Sequence, residues 1–314
     1  MRVFHTPVLL NECLSYLKPC SDFALFVDGT LGEGGHTLEF LKTYPTISVI
    51  GVDADPEIQA VAKKRLSGFK DRVRFYGGWS NELFENYSFE SRPDLILVDL
   101  GISVFHYAES GRGFSFSKDE PLDMRLNSNL KISARDIVNS YEEKALADLI
   151  YEYGEEKYSR RIASAIVSAR NASPFETSKD LADCIFSAVP ARYRHGRLHP
   201  ATRSFQALRI VVNKELERLP VLLEEAFNIL KCNGKFGVIS FHSLEDRIVK
   251  NYFRDLSKSC TCPPNMPICR CEGEPKAQLL TKKAVKPTEE EVLKNPPSRS
   301  ARLRVLKKLK EVER

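Results

Sequence analysis

Nowhere in its 314 residues does this chain carry the roughly 18 consecutive apolar residues of a membrane span. Its opening Met1-Arg2-Val3-Phe4-His5-Thr6-Pro7 has none of the long apolar stretch of a signal peptide. These absences predict a cytoplasmic protein with no membrane partner. Tryptophan occurs once, at Trp79. Acidic residues are missing from two long stretches, Cys184 to Lys214 and Val292 to Lys310. The glycine-rich segment near the start also lacks something: after Gly32 and Gly34, the third glycine of a dinucleotide fingerprint would fall on Thr37.

Hydrophobic residues make up 42% and charged residues 28%, an ordinary balance that excludes a disordered chain. The length suits two ordinary domains, or one α/β domain with a large insertion. A net charge of +5 permits a nucleic-acid partner without requiring one, so local charge matters more. Of eight cysteines, Cys13, Cys20, Cys184 and Cys232 are scattered like small buried hydrophobes, as expected of a reducing compartment. Cys260, Cys262, Cys269 and Cys271 cluster as two Cys-x-Cys pairs around a proline-rich loop. Four thiolates there could hold zinc, although the bite is tighter than the usual Cys-x-x-Cys, and a purely structural loop is the other reading.

The chain is organised around Asp28-Gly29-Thr30-Leu31-Gly32-Glu33-Gly34-Gly35-His36. An apolar run, Phe23 to Val27, precedes it and Thr37-Leu38-Glu39-Phe40-Leu41 follows, so it reads as a glycine turn between a buried strand and a helix. Such a turn needs positive φ and close approach of a ligand to backbone. Ordinary turn chemistry would look similar. A second strand, Ser48 to Val52, ends in Asp53, and Pro56 opens the next helix. An acid at the end of strand two reaches ribose hydroxyls in a doubly wound sheet, or else caps the helix that follows. Asp28, before the glycines, suits a positive amino group rather than a pyrophosphate. S-adenosylmethionine fits both acids.

Val73 to Tyr76 is a third strand, and Trp79 just beyond it either stacks on an adenine or fills the core. Asp94 to Gly101 is the strongest strand, apolar on both faces, and it ends with Asp99 at the crevice where open α/β sheets bind ligands. Beyond Gly101 the alternation stops and helical patterns dominate, with Ile162, Ala165, Ile166 and Ala169 on one face. The sheet resumes at Lys235 to Phe241, followed by His242-Ser243-Leu244-Glu245-Asp246-Arg247, a polar cluster at a strand's carboxyl end or a capping box of Ser243 with Asp246. The predicted division is 1–107 with 212–314 as the sheet domain, and 108–211 as a helical insertion. The acid-free span to Lys214 carries Arg192, Arg194, Arg197, Arg203 and Arg209 with Tyr193, His195, His199 and Phe205 among them. That mixture suits RNA phosphates and unstacked bases, or a solvated helix face. Seven basic residues between Val292 and Lys310, among them Arg299, Arg302, Arg304, Lys307 and Lys308, predict a phosphate-facing tail, or one that serves solubility.

Several motifs together carry a resemblance along the whole chain. His5-Thr6-Pro7-Val8-Leu9-Leu10, Asp28-Gly29-Thr30 with Gly32 to His36, Asp99-Leu100-Gly101, Arg112-Gly113-Phe114-Ser115-Phe116 and Pro121-Leu122-Asp123-Met124-Arg125 are joined by three later ones. These are His199-Pro200-Ala201-Thr202-Arg203 with Phe205-Gln206-Ala207-Leu208-Arg209, Ser240-Phe241-His242-Ser243-Leu244-Glu245-Asp246-Arg247, and Asn295 to Arg302. The set resembles the bacterial RsmH (MraW) family of S-adenosylmethionine-dependent methyltransferases, which act on the N4 amino group of cytidine 1402 in 16S rRNA. The resemblance implies a Rossmann-like class I methyltransferase sheet with a helical insertion, the 30S ribosomal subunit as partner and no stable protein partner. It implies cofactor contacts at Gly34, Gly35, His36, Asp53, Trp79, Asp99 and His106. Two positions depart from the family pattern, which has phenylalanine at Trp79 and Ser-Ser-Pro-Gln at Ser103-Val104-Phe105-His106.

Methyl transfer from a sulfonium is an in-line displacement, so an enzyme mainly aligns the partners and accepts a hydrogen bond from the attacking amine. A cytosine carbon-5 enzyme would need a cysteine beside strand four, where none follows. The Asp/Asn-Pro-Pro-aromatic signature of many amino-methyltransferases is also missing after Val98. Asp99 is the first candidate catalytic residue, with His242 and Ser243 behind it. A methyltransferase for small molecules or proteins, and a non-catalytic RNA-binding assembly factor, are the other functional readings.

Overall fold

The computed structural model describes residues 6–311 apart from 87, 89, 197 and 261–272. In chain order the first elements are α1 (Leu10–Tyr16), β1 (Leu25–Asp28), α2 (Gly35–Thr43), β2 (Ser48–Asp53), α3 (Pro56–Arg65), β3 (Val73–Gly77), α4 (Ser80–Asn86) and β4 (Leu95–Asp99). Helices α5 (Val104–Ala108), α6 (Ala134–Ser140), α7 (Glu143–Gly154), α8 (Ser159–Ala172), α9 (Ser178–Ala188), α10 (Ala191–Arg194) and α11 (Ala201–Asn213) follow. The chain then runs through α12 (Glu215–Ile229), β5 (Lys235–Ser240), α13 (Ser243–Leu256), β6 (Ala277–Leu279), α14 (Glu289–Lys294) and β7 (Arg302–Lys308). Two compact units result, 1–102 with 217–314, and 103–216.

The first unit holds a seven-stranded sheet in the order β3-β2-β1-β4-β5-β7-β6. Strands β1 to β5 pair in parallel, and β7 runs antiparallel to both β5 and β6. The strand order reverses between β1 and β4, so the connections leaving their carboxyl ends run to opposite sides and leave a crevice there. Leu95 to Val98 and Phe236 to Ser240 are buried throughout, as strands covered on both faces must be. Phe26 of β1 stacks on Phe40 of α2 at 4.5 Å between ring centres, and both rings are fully buried. Each such ring contributes about 2–3 kcal/mol of burial, which fixes α2 and the loop leading into it.

The basic tail is largely structural, in contrast to the phosphate-facing tail expected. Much of it forms β7, and five of its seven basic residues have partners inside the same unit. Arg302 and Arg304 bond the Asp246 carboxylate, Lys294 pairs with Glu290 and Lys310 with Glu274. Lys308 is completely buried, and its ammonium donates to the carbonyls of Phe227, Asn228 and Leu230 at 3.0, 3.1 and 2.6 Å, capping the end of α12.

The second unit is helical. Leu146 and Ile150 of α7, Ile162 and Ile166 of α8, and Phe205 and Leu208 of α11 form its core. A Cβ at Gly154 would lie 2.6 Å from the Arg203 carbonyl, so only glycine lets α7 end against α11. Fully buried Asn213 accepts from the Leu126 amide and donates to the Met124 carbonyl, both at 2.8 Å, and so ties the Pro121–Arg125 loop to α11. Among the described residues no helix is long and apolar enough to cross a membrane.

Candidate active site

The glycine loop runs from the end of β1 into α2. Gly32 and Gly34 take φ of 52° and 74°, and a Cβ at Gly34 would press on Leu66 at 3.0 Å. Both requirements select glycine. A Cβ at Gly35 would meet Pro7 at 2.7 Å, which places the His5-Thr6-Pro7 motif against the loop, His5 itself lying outside the described residues. Thr37 occupies the place of a third glycine and is fully buried, with its hydroxyl donating to Asp28 Oδ2 at 2.6 Å. The Asp28 carboxylate also accepts from the Thr30 amide, so it braces the loop from within, and burial raises its pKa. His36 in the first turn of α2 is buried, with Nε2 2.9 Å from the Val8 carbonyl.

Asp53 closes β2 and reaches across to the loop. Its Oδ2 accepts from the Gly32 amide at 2.8 Å, and its Oδ1 accepts from the Asp55 amide at 2.9 Å. The cap of α3 is Asp55, which accepts from the Glu57 amide, so Asp53 is not the helix cap. Asp99 closes β4. Its amide donates to Thr30 Oγ1 at 2.6 Å and its Oδ1 accepts from the Gly101 amide at 2.9 Å, fastening β4 to the same loop. Burial pushes the Asp99 carboxyl up to about 6; the His36 ring and the Gly101 hydrogen bond pull it down, while Asp28 and Glu245 add to the rise. A carboxyl with that value is ionised at neutral pH and remains a good acceptor.

Trp79 follows β3 and is half-buried rather than a core plug. Its amide donates to Glu82 at 3.1 Å, and Ser80 beside it donates to the Gly29 carbonyl. At the end of β5, His242 rather than Ser243 caps α13. His242 Nδ1 accepts from the Glu245 amide, while the buried Glu245 carboxylate accepts from the amides of Phe241 and His242 at 2.9 and 3.3 Å. The capping box is therefore displaced by one residue from the expected Ser243 with Asp246. That leaves Asp246 for Arg302 and Arg304, and sets His242 Nε2 3.0 Å from Glu245 Oε1. Cys13, fully buried, is held far from thiolate chemistry because burial and then Asp99 push its thiol up.

One crevice end thus collects Gly34, Gly35, His36, Asp53 and Asp99, with Trp79 after β3 and His242 and Ser243 after β5 in the same unit. His106 belongs to the helical unit, buried against the rings of Phe105 and Phe114 at 5.6 and 5.4 Å. Arg209 of that unit is bidentate to Glu215, both bonds 2.9 Å, so its charge is already neutralised. Arg203 gives Nη1 to the Glu155 carbonyl, and Arg192 is exposed. Arg197, Cys262, Cys269 and Cys271 lie outside the described residues, and Cys260 is exposed. Sequence reasoning missed Thr30, Glu245 and Arg218. Thr30 and Glu245 sat inside recognisable motifs; Arg218 had no signal, being one more arginine on an amphipathic helix.

A glycine loop after β1, an acid at the end of β2 and an acid at the end of β4 are the parts of a class I methyltransferase, and the strand order with β7 antiparallel is that fold's sheet. The chain belongs to the MraW methylase family, whose pattern matches residues 2–309. It is 65% identical to the ribosomal RNA small subunit methyltransferase H of Treponema denticola, over 98% of each chain. Proteins of the same name from Syntrophobacter fumaroxidans and Treponema pallidum are 46% and 43% identical, covering 97% of this chain and 96% and 92% of theirs.

Proposed function

We propose that this protein is an S-adenosylmethionine-dependent rRNA methyltransferase that methylates the N4 amino group of cytidine 1402 in 16S rRNA of the 30S subunit. The near full-length 65% identity to a small-subunit rRNA methyltransferase carries the reading. The residues fit the cofactor. Asp53 at the end of β2 would take the ribose hydroxyls, Gly34 and Gly35 leave the backbone open to close approach, and Trp79 would take the adenine. When bound, the cofactor supplies an electrophilic methyl group.

The chain's own task is to hold the amine in line and accept its proton density. Asp99 is suited to this: its backbone is anchored to Thr30, its Oδ1 to Gly101, and its carboxylate is ionised at neutral pH. In this reading Cys13, fully buried and with its thiol pushed up by burial, is not the accessible thiolate that carbon-5 chemistry needs. His242 is engaged with Glu245 and orders the turn beyond β5, so we assign it and Ser243 to positioning the base. The helical unit, with His106 in its core, would recognise rRNA through Arg192, Arg194 and Arg203. A cytosine amine within a duplex is sequestered, so the base must be unpaired or splayed.

The test is transfer of labelled methyl groups to 30S particles from cells lacking the enzyme, followed by nucleoside digestion. N4-methylcytidine that disappears when position 1402 is changed supports the reading. Label in 5-methylcytidine, or only in protein, overturns it.

A further inference from the structure

Arg218 lies near the start of α12, in the unit that holds the sheet. Its guanidinium carbon is 3.8 Å from the centre of the Trp79 ring. Its Nη1 is buried and has no hydrogen-bond partner among the described residues. Burial lowers the guanidinium's pKa, while Glu82, turned to the Trp79 amide, and Glu217 act on it only through space. An arginine stays protonated even so. A half-buried arginine held against an aromatic ring, with one buried donor unused, is poorly explained as packing, because leaving a buried donor unmet is costly.

We propose that Arg218 is an adenosine-binding residue of the cofactor site: the Trp79 ring holds the guanidinium so that Nη1 donates to a ring nitrogen of the adenine. This rests on Trp79 being the adenine platform. The acceptor is assigned to the base because Asp53, an acceptor only, already suits the ribose hydroxyls, whereas adenine ring nitrogens N1, N3 and N7 are acceptors that need a donor. Contact with the indole face and a directed N–H are both things a guanidinium does better than an ammonium. Trp79 is half-buried, so ring surface remains for the base beyond what Arg218 covers.

Trp79 is the sole tryptophan, so its emission reports on this site directly. S-adenosylhomocysteine and its 1-deaza, 3-deaza and 7-deaza analogues are titrated into the full chain, with emission and calorimetry read together. Arg218→Met is expected to weaken S-adenosylhomocysteine about 10- to 100-fold, and Arg218→Lys to recover only part of the loss. One deaza analogue is expected to bind the unaltered protein about tenfold more weakly than the parent compound, yet to bind Arg218→Met as well as the parent does. Equal affinity of the two proteins, with Trp79 emission responding in both, overturns the Arg218 assignment and leaves the Trp79 reading standing. Calorimetric binding that leaves Trp79 emission unchanged in the unaltered protein removes Trp79 from the pocket and the Arg218 assignment with it. Weakened binding without discrimination among the analogues shows a structural role and also overturns the proposal. If Arg218→Met does not fold, Arg218→Lys read against the same analogues decides.

Discussion

The Asp53 carboxylate accepts from the Gly32 amide at 2.8 Å across 21 residues of sequence, so the acid proposed for the ribose is also the clasp of the glycine loop. Asp53→Ala therefore removes a ligand contact and releases the loop together. We expect S-adenosylmethionine affinity to fall about 10- to 100-fold by calorimetry, with the fold retained. Asp53→Asn keeps an acceptor for one of the two amides and should lose less. Unchanged affinity in Asp53→Ala would remove Asp53 from the site.

Asp99 predicts opposite pH behaviour for activity and stability. With its carboxyl pushed up to about 6, kcat/KM should rise with pH through that value as the acceptor ionises. The folded state holds this proton more tightly than the unfolded chain, so ionisation costs stability as pH climbs from the ordinary aspartate value toward 6. The cost is at most about 3 kcal/mol, and less to the extent that water screens the half-buried group. Asp99→Asn should be inactive yet more stable than the unaltered protein in urea denaturation at pH 7.5, with the gain shrinking to about half at pH 5. An acid-independent gain would show that the carboxylate's charge is not the cause.

The ion triad of Asp246 with Arg302 and Arg304 should be a stability element. Burial would raise the Asp246 pKa, but the Arg304 and Arg302 hydrogen bonds outweigh it and hold the carboxyl low. Its contribution is present above the ordinary aspartate range and is lost as pH falls through the lowered value. Asp246→Ala leaves the largely buried Arg304 unpaired and should cost about 2–4 kcal/mol in urea denaturation at pH 7. A change under about 0.5 kcal/mol would mean that water replaces the triad without loss.

Positive charge in the helical unit divides into free and spent. Arg192→Ala with Arg203→Ala should weaken binding to 30S particles and lower the salt slope by about 2, whatever the RNA sequence. Arg209→Ala leaves Glu215 unpaired, so it should lower thermal stability with little change in salt slope. A salt slope that falls with Arg209→Ala and not with the double variant would reverse this division.

Much of the architecture was legible in the chain. The apolar runs ending in Asp28, Asp53 and Asp99 announced parallel strands whose carboxyl ends face one crevice, because strands buried on both faces must be continuously apolar and their polar ends must lie at the rim. Thr37 in place of a third glycine departs from the spacing of a dinucleotide fingerprint. Local chemistry also announced a helix opening after Phe241, but not its cap. Ser243 and His242 both offer acceptors at suitable spacing, and the choice fell to His242 because Arg302 and Arg304, more than 50 residues on, claim Asp246. The same long-range pairing turned a basic tail into an interior strand. Charge in a sequence has no partner until the fold brings one within a few ångströms, and Lys308 and Arg218 met theirs, the carbonyls at the end of α12 and the Trp79 ring, across about 80 to 140 residues that spacing along the chain could not specify.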